Sequence, residues 1–344
     1  MITLLIIIAL VLLAIGGHQL LRVVELSRTI KGEPEWKVKE SDNKLMGRML
    51  YLFVFAFFAF CFWHVYIYAD KLLPESASKH GFDIDWLLNF NFIIISIVFL
   101  VTNFVLFYFA NKYYGRNDSK AYYFAHSNKL EMVWTVVPAI FLAVIIIFGL
   151  MYWNKIMDDT PNPKALKIEL YAKQFDWTVR YPGADNEFGK TDFTMCDKPA
   201  ANVVAIDTTD KEHGWNDVLA KEIHLVKNRE AIFQFRSRDV IHSAYMPHFR
   251  AQMNCVPGQI TTFRFTPVKT TEEMRKDPYV IEQVRQINEK RLKLGKDPYE
   301  FDYVLLCNKI CGASHYNMQL KIIVEDEKSY NEWMSKQKPF MTSK

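Results

Sequence analysis

Long apolar runs fill the first half of the chain, and short β-rich runs broken by turn residues fill the second. Four long runs stand out, roughly Ile2–Val24, Met49–Ala69, Phe90–Ala110 and Val133–Trp153. Each comes close to the ~20 residues a helix needs to cross a bilayer. The third carries no charge between Phe92 and Phe109, whereas a soluble helix of that length would show a polar face. The pattern predicts about four transmembrane helices, and the first run, with no Lys or Arg ahead of it, reads as a retained helix and not a cleaved signal peptide.

From about Lys155 the period shortens. Leu166–Leu170, Trp177–Tyr181, Glu222–Val226, Ala231–Arg236, Thr261–Thr266, Tyr303–Leu306 and Leu320–Val324 read as strands, separated by turns such as Pro182-Gly183, Lys227-Asn228 and Pro257-Gly258. Many short strands of this kind predict an all-β sandwich or barrel of antiparallel type. A polar insertion at about Asp185–Asp217 and a charged helix at Thr270–Gly295 interrupt it. The expected domains are a helix pair with its loops at 1–89, a helical hairpin at 90–158, a β domain at 159–334 with a helical insertion near 270–295, and a polar tail at 335–344.

Charge orients the membrane part. Arg22, Arg28, Lys31, Lys37, Lys39, Lys44 and Arg48 crowd the first loop, and Lys112, Arg116, Lys120 and Lys129 the third. The second loop offers only Lys71 and Lys79 beside Asp70, Glu75, Asp83 and Asp85. Positive loops stay cytoplasmic, so the β domain is expected outside. The formal net charge of +4 owes much to those loops and says little about partners; no nucleic-acid partner is expected.

The chemistry concentrates in Cys307-x3-Cys311-x3-His315-x2-Met318. Two thiols, an imidazole and a thioether within twelve residues are the soft and borderline donors that copper prefers over hard cations. The spacing is neither a zinc knuckle nor the Cys-x-x-Cys-His of a c-type haem. His242, within Asp239–Pro247, is the candidate ligand from an earlier strand. Outside the cytoplasm the alternative for Cys307 and Cys311 is a short-loop disulfide. Cys61 reads as membrane-helix packing, and whether Cys196 and Cys255 pair is left open. A structural Cys2His2 zinc on His242, Cys307, Cys311 and His315 is chemically feasible and would make this a membrane-anchored zinc protein.

These residues carry a resemblance. Asp239-Val240-Ile241-His242-Ser243 with Pro247 and Val256-Pro257-Gly258, followed by Cys307 to Met318, resembles the dinuclear CuA signature of subunit II of the haem–copper cytochrome c oxidases. Leu130-Glu131-Met132-Val133-Trp134-Thr135-Val136-Val137-Pro138 is similar to the segment opening that family's second membrane helix. The likeness covers about Phe90 to Trp333. It implies a cupredoxin-like sandwich holding two coppers per chain. Cys307 and Cys311 would bridge them, His242 and His315 would each terminate one, and Met318 and the backbone carbonyl of Lys309 would be weak axial ligands. It also implies a bacterial inner membrane with the copper domain on the periplasmic side. Implied partners are subunit I with haem and CuB, subunit III, and cytochrome c or a cytochrome c domain as electron donor. Glu131 would stand at the mouth of a proton pathway and Trp177 on the electron route.

Departures from the family pattern shape these expectations. Lys309 replaces the family's glutamate, which helps bind magnesium at the contact with subunit I, so magnesium is doubtful. Phe175 stands where the family's exposed tryptophan receives electrons, and Gln259 where arginine often follows Val-Pro-Gly. The helices within Ile2–Ala69 exceed the usual two, and either they or Thr270–Gly295 are expected to dock another respiratory complex or subunit. Of the other copper or oxidase readings, a nitrous oxide reductase would need a propeller-sized domain, and a quinol oxidase subunit lacks the copper ligands found here.

Overall fold

The computed structural model describes residues 2–31, 39–158, 160–198, 202–210 and 212–341. Lys37 of the first loop and the end of the polar tail lie outside the described residues. The chain forms two compact units, Met1–Tyr66 with Ile97–Ala125, and Ile67–Ser96 with His126–Lys344. Four long helices run through them: α1 (Ile2–Ile30), α2 (Glu40–Tyr68), α3 (Lys79–Lys112) and α4 (Asn128–Ile156). Among the described residues α2, α3 and α4 are long and apolar enough to cross a membrane. At ~1.5 Å per residue, the 29 residues of α1 also exceed a bilayer core of ~30 Å.

In the first unit aromatic side chains join α2 to the second half of α3. Tyr51 lies 6.1 Å from Phe104, Phe53 5.7 Å from Phe107, and Phe57 5.8 Å from Phe99, ring centre to ring centre. Gly47 lets the backbones approach, because a Cβ there would meet Asn111 Cα at 3.2 Å. At the same end Asn43 donates to the carbonyl of Gly115.

The second unit holds two five-stranded sheets. The strands are β1 (Leu166–Lys173), β2 (Asp176–Tyr181), β3 (Val218–Ala220), β4 (Ile223–Val226), β5 (Ala231–Ser237), β6 (His242–Met246), β7 (Ala251–Cys255), β8 (Thr261–Phe265), β9 (Tyr303–Cys307) and β10 (Gln319–Glu325). One sheet runs β3-β2-β1-β5-β8 and the other β4-β10-β9-β6-β7. Inward side chains of both, among them Ile168, Leu170, Val179, Phe233, Phe235, Leu305 and Ile322, form one buried core. This is the expected β-sandwich, with one difference from a purely antiparallel one: β1 pairs parallel to β5, and β4 parallel to β10. Both pairs join strands far apart in sequence, so a long connection can return the chain in the same direction, which a hairpin cannot.

Two insertions have local causes. The expected helix at Thr270–Gly295 is broken into α5 (Thr271–Arg275) and α6 (Pro278–Lys293). Thr270 and Glu273 close a capping box on α5. Asp277 then caps a new helix at Tyr279 N–H, and Pro278, lacking its own N–H, fits the first position of that helix. Gly295, at φ +63°, ends it. The polar insertion is held by Arg180, fully buried, whose guanidinium donates to Asp217, Glu169 and the carbonyl of Gly189.

The sandwich is also stitched to its membrane helices. Ala77 N–H donates to His248 O at 2.7 Å, Val268 N–H to Ala77 O at 2.8 Å, and Lys79 N–H to Thr266 O at 2.9 Å. Arg250 holds both carboxylate oxygens of Asp85, at 2.7 and 2.9 Å. The segment between α2 and α3 and the chain leaving α4 therefore meet the same end of the sandwich, where β1 begins. The far end, where β9 finishes, carries the candidate ligands.

Candidate metal centre

Strand pairing brings the ligands together. His242 opens β6 and Cys307 closes β9, and these strands pair with Ala244 opposite Cys307. Asn308 N–H donates to Ser243 O, and Cys307 N–H to Met318 O, folding the Asn308–Met318 loop back over the strand ends. Lys309, Cys311 and His315 lie on that loop, with Met318 at its close.

Six donor atoms converge there. Cys307 Sγ is 3.8 Å from Cys311 Sγ, 3.9 Å from His242 Nδ1 and 3.2 Å from the carbonyl oxygen of Lys309. Cys311 Sγ is 3.6 Å from His315 Nδ1 and 3.8 Å from Met318 Sδ. Ligands each ~2.0–2.3 Å from a shared ion sit at such separations. A covalent bond of ~2.05 Å would be far shorter than the sulfur–sulfur distance, and all five cysteines are free. His242, Cys307, Cys311 and Met318 are all buried. Burial, reinforced by neighbouring Cys307, pushes the Cys311 thiol up to about 11. Such a pair ionises readily only with a cation to compensate it. The donors therefore fit a soft metal, and Met318 and the Lys309 carbonyl are two more than a tetrahedral Cys2His2 zinc site uses.

The ligands are held from behind. His242 Nε2 lies 2.9 Å from Asp239 Oδ1, which turns Nδ1 toward the sulfur. Burial alone would raise the Asp239 carboxyl; the N–H of Gln174, the His242 ring and the N–H of Val240 outweigh it and hold the group below its ordinary value. A carboxylate behind a ligand histidine fixes both tautomer and ring orientation. Its signal in the sequence was an Asp three residues before the His, a spacing that acquires meaning only once the loop is folded.

Of the remaining candidates, some border the cluster and others lie far from it. Trp177 is 1% exposed, with its ring 6.0 Å from that of His242. Phe175, 37% exposed, lies against the ligand loop: a Cβ on Gly312 would come within 2.8 Å of its ring, and Gly312 has φ +139°. Glu131 lies in the first turn of α4, where its carboxylate accepts from Ser127 N–H at 3.3 Å, helping to cap the helix. Cys255 ends β7 opposite His242, and burial pushes its thiol up to about 12; Cys196 stands apart on the insertion.

A family profile described as "Cytochrome C oxidase subunit II, transmembrane domain" matches residues 62–151. The alternative cytochrome c oxidase subunit 2 of Bradyrhizobium diazoefficiens is 29% identical over 266 residues, spanning 77% of this chain and 83% of the relative. Cytochrome c oxidase subunit 2 of Cereibacter sphaeroides is 23% identical over 270 residues, 75% and 77% of the two chains. Among solved structures, the periplasmic domain of subunit II of cytochrome oxidase of Bradyrhizobium japonicum is similar at 20% identity with a TM-score of 0.30, over 50% of this chain and 94% of that one. The membrane block resembles the transmembrane domain of cytochrome c oxidase subunit II, and over about three quarters of its length the chain is similar to bacterial subunits 2 of that oxidase.

Proposed function

We propose that this chain receives electrons from cytochrome c, or from a cytochrome c domain, and passes them to haem in subunit I for oxygen reduction coupled to proton pumping. The observation that carries the reading is the convergence of six donor atoms of His242, Cys307, Lys309, Cys311, His315 and Met318 in one largely buried cluster. A copper pair held by these six donors would supply one-electron transfer. The chain's own part is to hold that geometry. Two paired strands fix His242 and Cys307, Asp239 fixes the imidazole, and burial keeps water from the sulfurs. Every donor is committed to metal, which suits relay and leaves no place for substrate.

Electrons would arrive where the loop meets solvent. Phe175 is an exposed aromatic packed against Gly312 of that loop, which also carries the exposed Ile310 and Tyr316. Trp177, buried behind His242, would serve only as an inner element of that route. Glu131 would take up protons at the cytoplasmic start of α4, and a Glu131→Gln variant with unchanged proton uptake would leave it a helix cap. The expected setting is a bacterial inner membrane with the sandwich in the periplasm, docked on subunits I and III. The added helices or the exposed face of α5–α6 would meet a further respiratory complex or subunit. Lys309 presents an ammonium where magnesium would need a carboxylate, so magnesium is not assigned to this chain.

Metal analysis of the purified oxidase tests the reading. Two coppers per copy of this chain, beyond the copper of subunit I, with a mixed-valence paramagnetic signal are expected. One zinc and no visible band would overturn it in favour of the structural site.

A further inference from the structure

Both halves of the metal centre belong to the second sheet, yet one residue of the first sheet touches both. Gln174 lies in the turn between β1 and β2. Its side-chain Nε2 donates to the carbonyl oxygen of Cys311. Its backbone N–H donates to Asp239 Oδ2 at 2.7 Å, while Asp239 Oδ1 meets His242 Nε2 at 2.9 Å. The ligand loop is pressed onto this turn: at Gly312 a Cβ would fall 2.8 Å from Gln174 Nε2 as well as from the Phe175 ring. The close approach therefore depends on a residue with no side chain, in a backbone conformation that favours glycine.

We propose that Gln174 is a positioning residue that braces both ligand loops from the opposite sheet, gripping Cys311 through its carbonyl and His242 through Asp239. This rests on the copper reading above. The strand pairing between β6 and β9 already fixes Cys307 relative to His242. Nothing in that pairing fixes Cys311, which sits on a loop between strands. The amide of Gln174 supplies that restraint, and the Gln174–Asp239 link keeps the two loops in one register. Removing the amide donor leaves the fold of the sandwich intact, because Gln174 is exposed and outside the core. It frees the segment that carries one sulfur.

The test uses the complete chain in detergent and three variants. Gln174→Met keeps the length and removes the donor, Gln174→Glu keeps the shape and sets an acceptor against the carbonyl, and Gln174→Asn keeps the amide on a shorter arm. In the copper-free chain, Gln174→Met and Gln174→Glu are expected to raise the rate at which Cys311 is alkylated several-fold, with Cys255 unaffected. Copper affinity, measured by competition with a chelator, is expected to fall about 10-fold or more, the usual cost of losing an outer-shell partner. The hyperfine pattern of the mixed-valence signal should also change, and Gln174→Asn should lie between. Wild-type alkylation, affinity and spectrum in both Gln174→Met and Gln174→Glu would overturn the brace. A wild-type chain that binds no paired copper would instead overturn the copper reading, while the alkylation result would still decide the brace.

Discussion

The two ends of the sandwich hold their neighbours by opposite means. At the end facing the membrane helices, backbone hydrogen bonds of Ala77, Val268 and Lys79 are joined by ion pairs, Arg250 on Asp85 and Lys269 on Glu75. At the ligand end ion pairs stay at the rim, Arg238 on Asp197 and Lys221 on Asp176, while sulfur, imidazole and backbone carbonyl gather at the cluster with Asp239 as the carboxylate behind them. Between the ends lies a continuous aromatic and aliphatic core, with Phe233, Phe235 and Phe265 in stacked contact. Fixed charges suit an anchor, because a partly buried ion pair is directional and costly to break on one side. Close to a redox metal, as proposed for the other end, they suit less, since each fixed charge would shift the metal's potential. The same scaffold therefore separates attachment from chemistry along the length of its strands.

That separation breaks most completely at the sulfurs. Cys311→Ser is expected to abolish the proposed paired-copper spectrum, since one of the two thiolate donors disappears. The melting temperature of the copper-free chain should move little, because the change is small and lies outside the sheets. A large destabilisation without copper would mean that the ligand loop also carries the fold. At the opposite end Asp85→Asn leaves the nearly buried Arg250 guanidinium without its charged partner. The expected cost is about 2 kcal/mol, or roughly 5 °C in melting temperature for a domain of this size. The copper spectrum should stay as in the wild type. A shifted spectrum in that variant would show the two ends to be mechanically coupled.

Sequence patterning reached the two regions unequally. The membrane runs were legible because they are long and nearly free of charge, and β1, β2, β5 and β10 because they are rich in β-branched, leucine and aromatic side chains. The ligand set was legible from spacing and donor type. β6 was not: His242, Ser243, Ala244 and Met246 are buried on both faces, so no alternation marks the strand. β3 is three residues long. The start of α3 at Lys79 was hidden for the reason that makes it useful: its first turns are polar because they bind the sandwich, so the apolar pattern begins later. Asp239 and Gln174 act through contacts between distant segments, and such contacts leave no local period to read.

An effect no larger than that of Asp85→Asn sharpens the contrast by pH. His248 sits at the membrane-facing end with its ring against Phe301 and Tyr303, at 5.2 and 5.3 Å. Burial, aided by the positive charge of Arg250, holds it down to about 4 from an ordinary 6.5. Its Nδ1 has no partner among the described residues. Between those two values the unfolded chain takes up a proton that the folded chain refuses. Stability is therefore complete above about 6.5 and is lost as pH falls toward about 4. The full separation corresponds to about 3 kcal/mol, and partial solvent access to the ring brings the expected loss nearer 2 kcal/mol. Thermal melts of the wild type and of His248→Phe at pH 7 and pH 4.5 isolate this contribution from the carboxylates that titrate in both. The wild type should lose several degrees more than the variant on acidification. Equal losses would mean that His248 is reached by water and protonates in place, which would remove this group from the account of why the anchoring end is held by neutral packing as well as by charge.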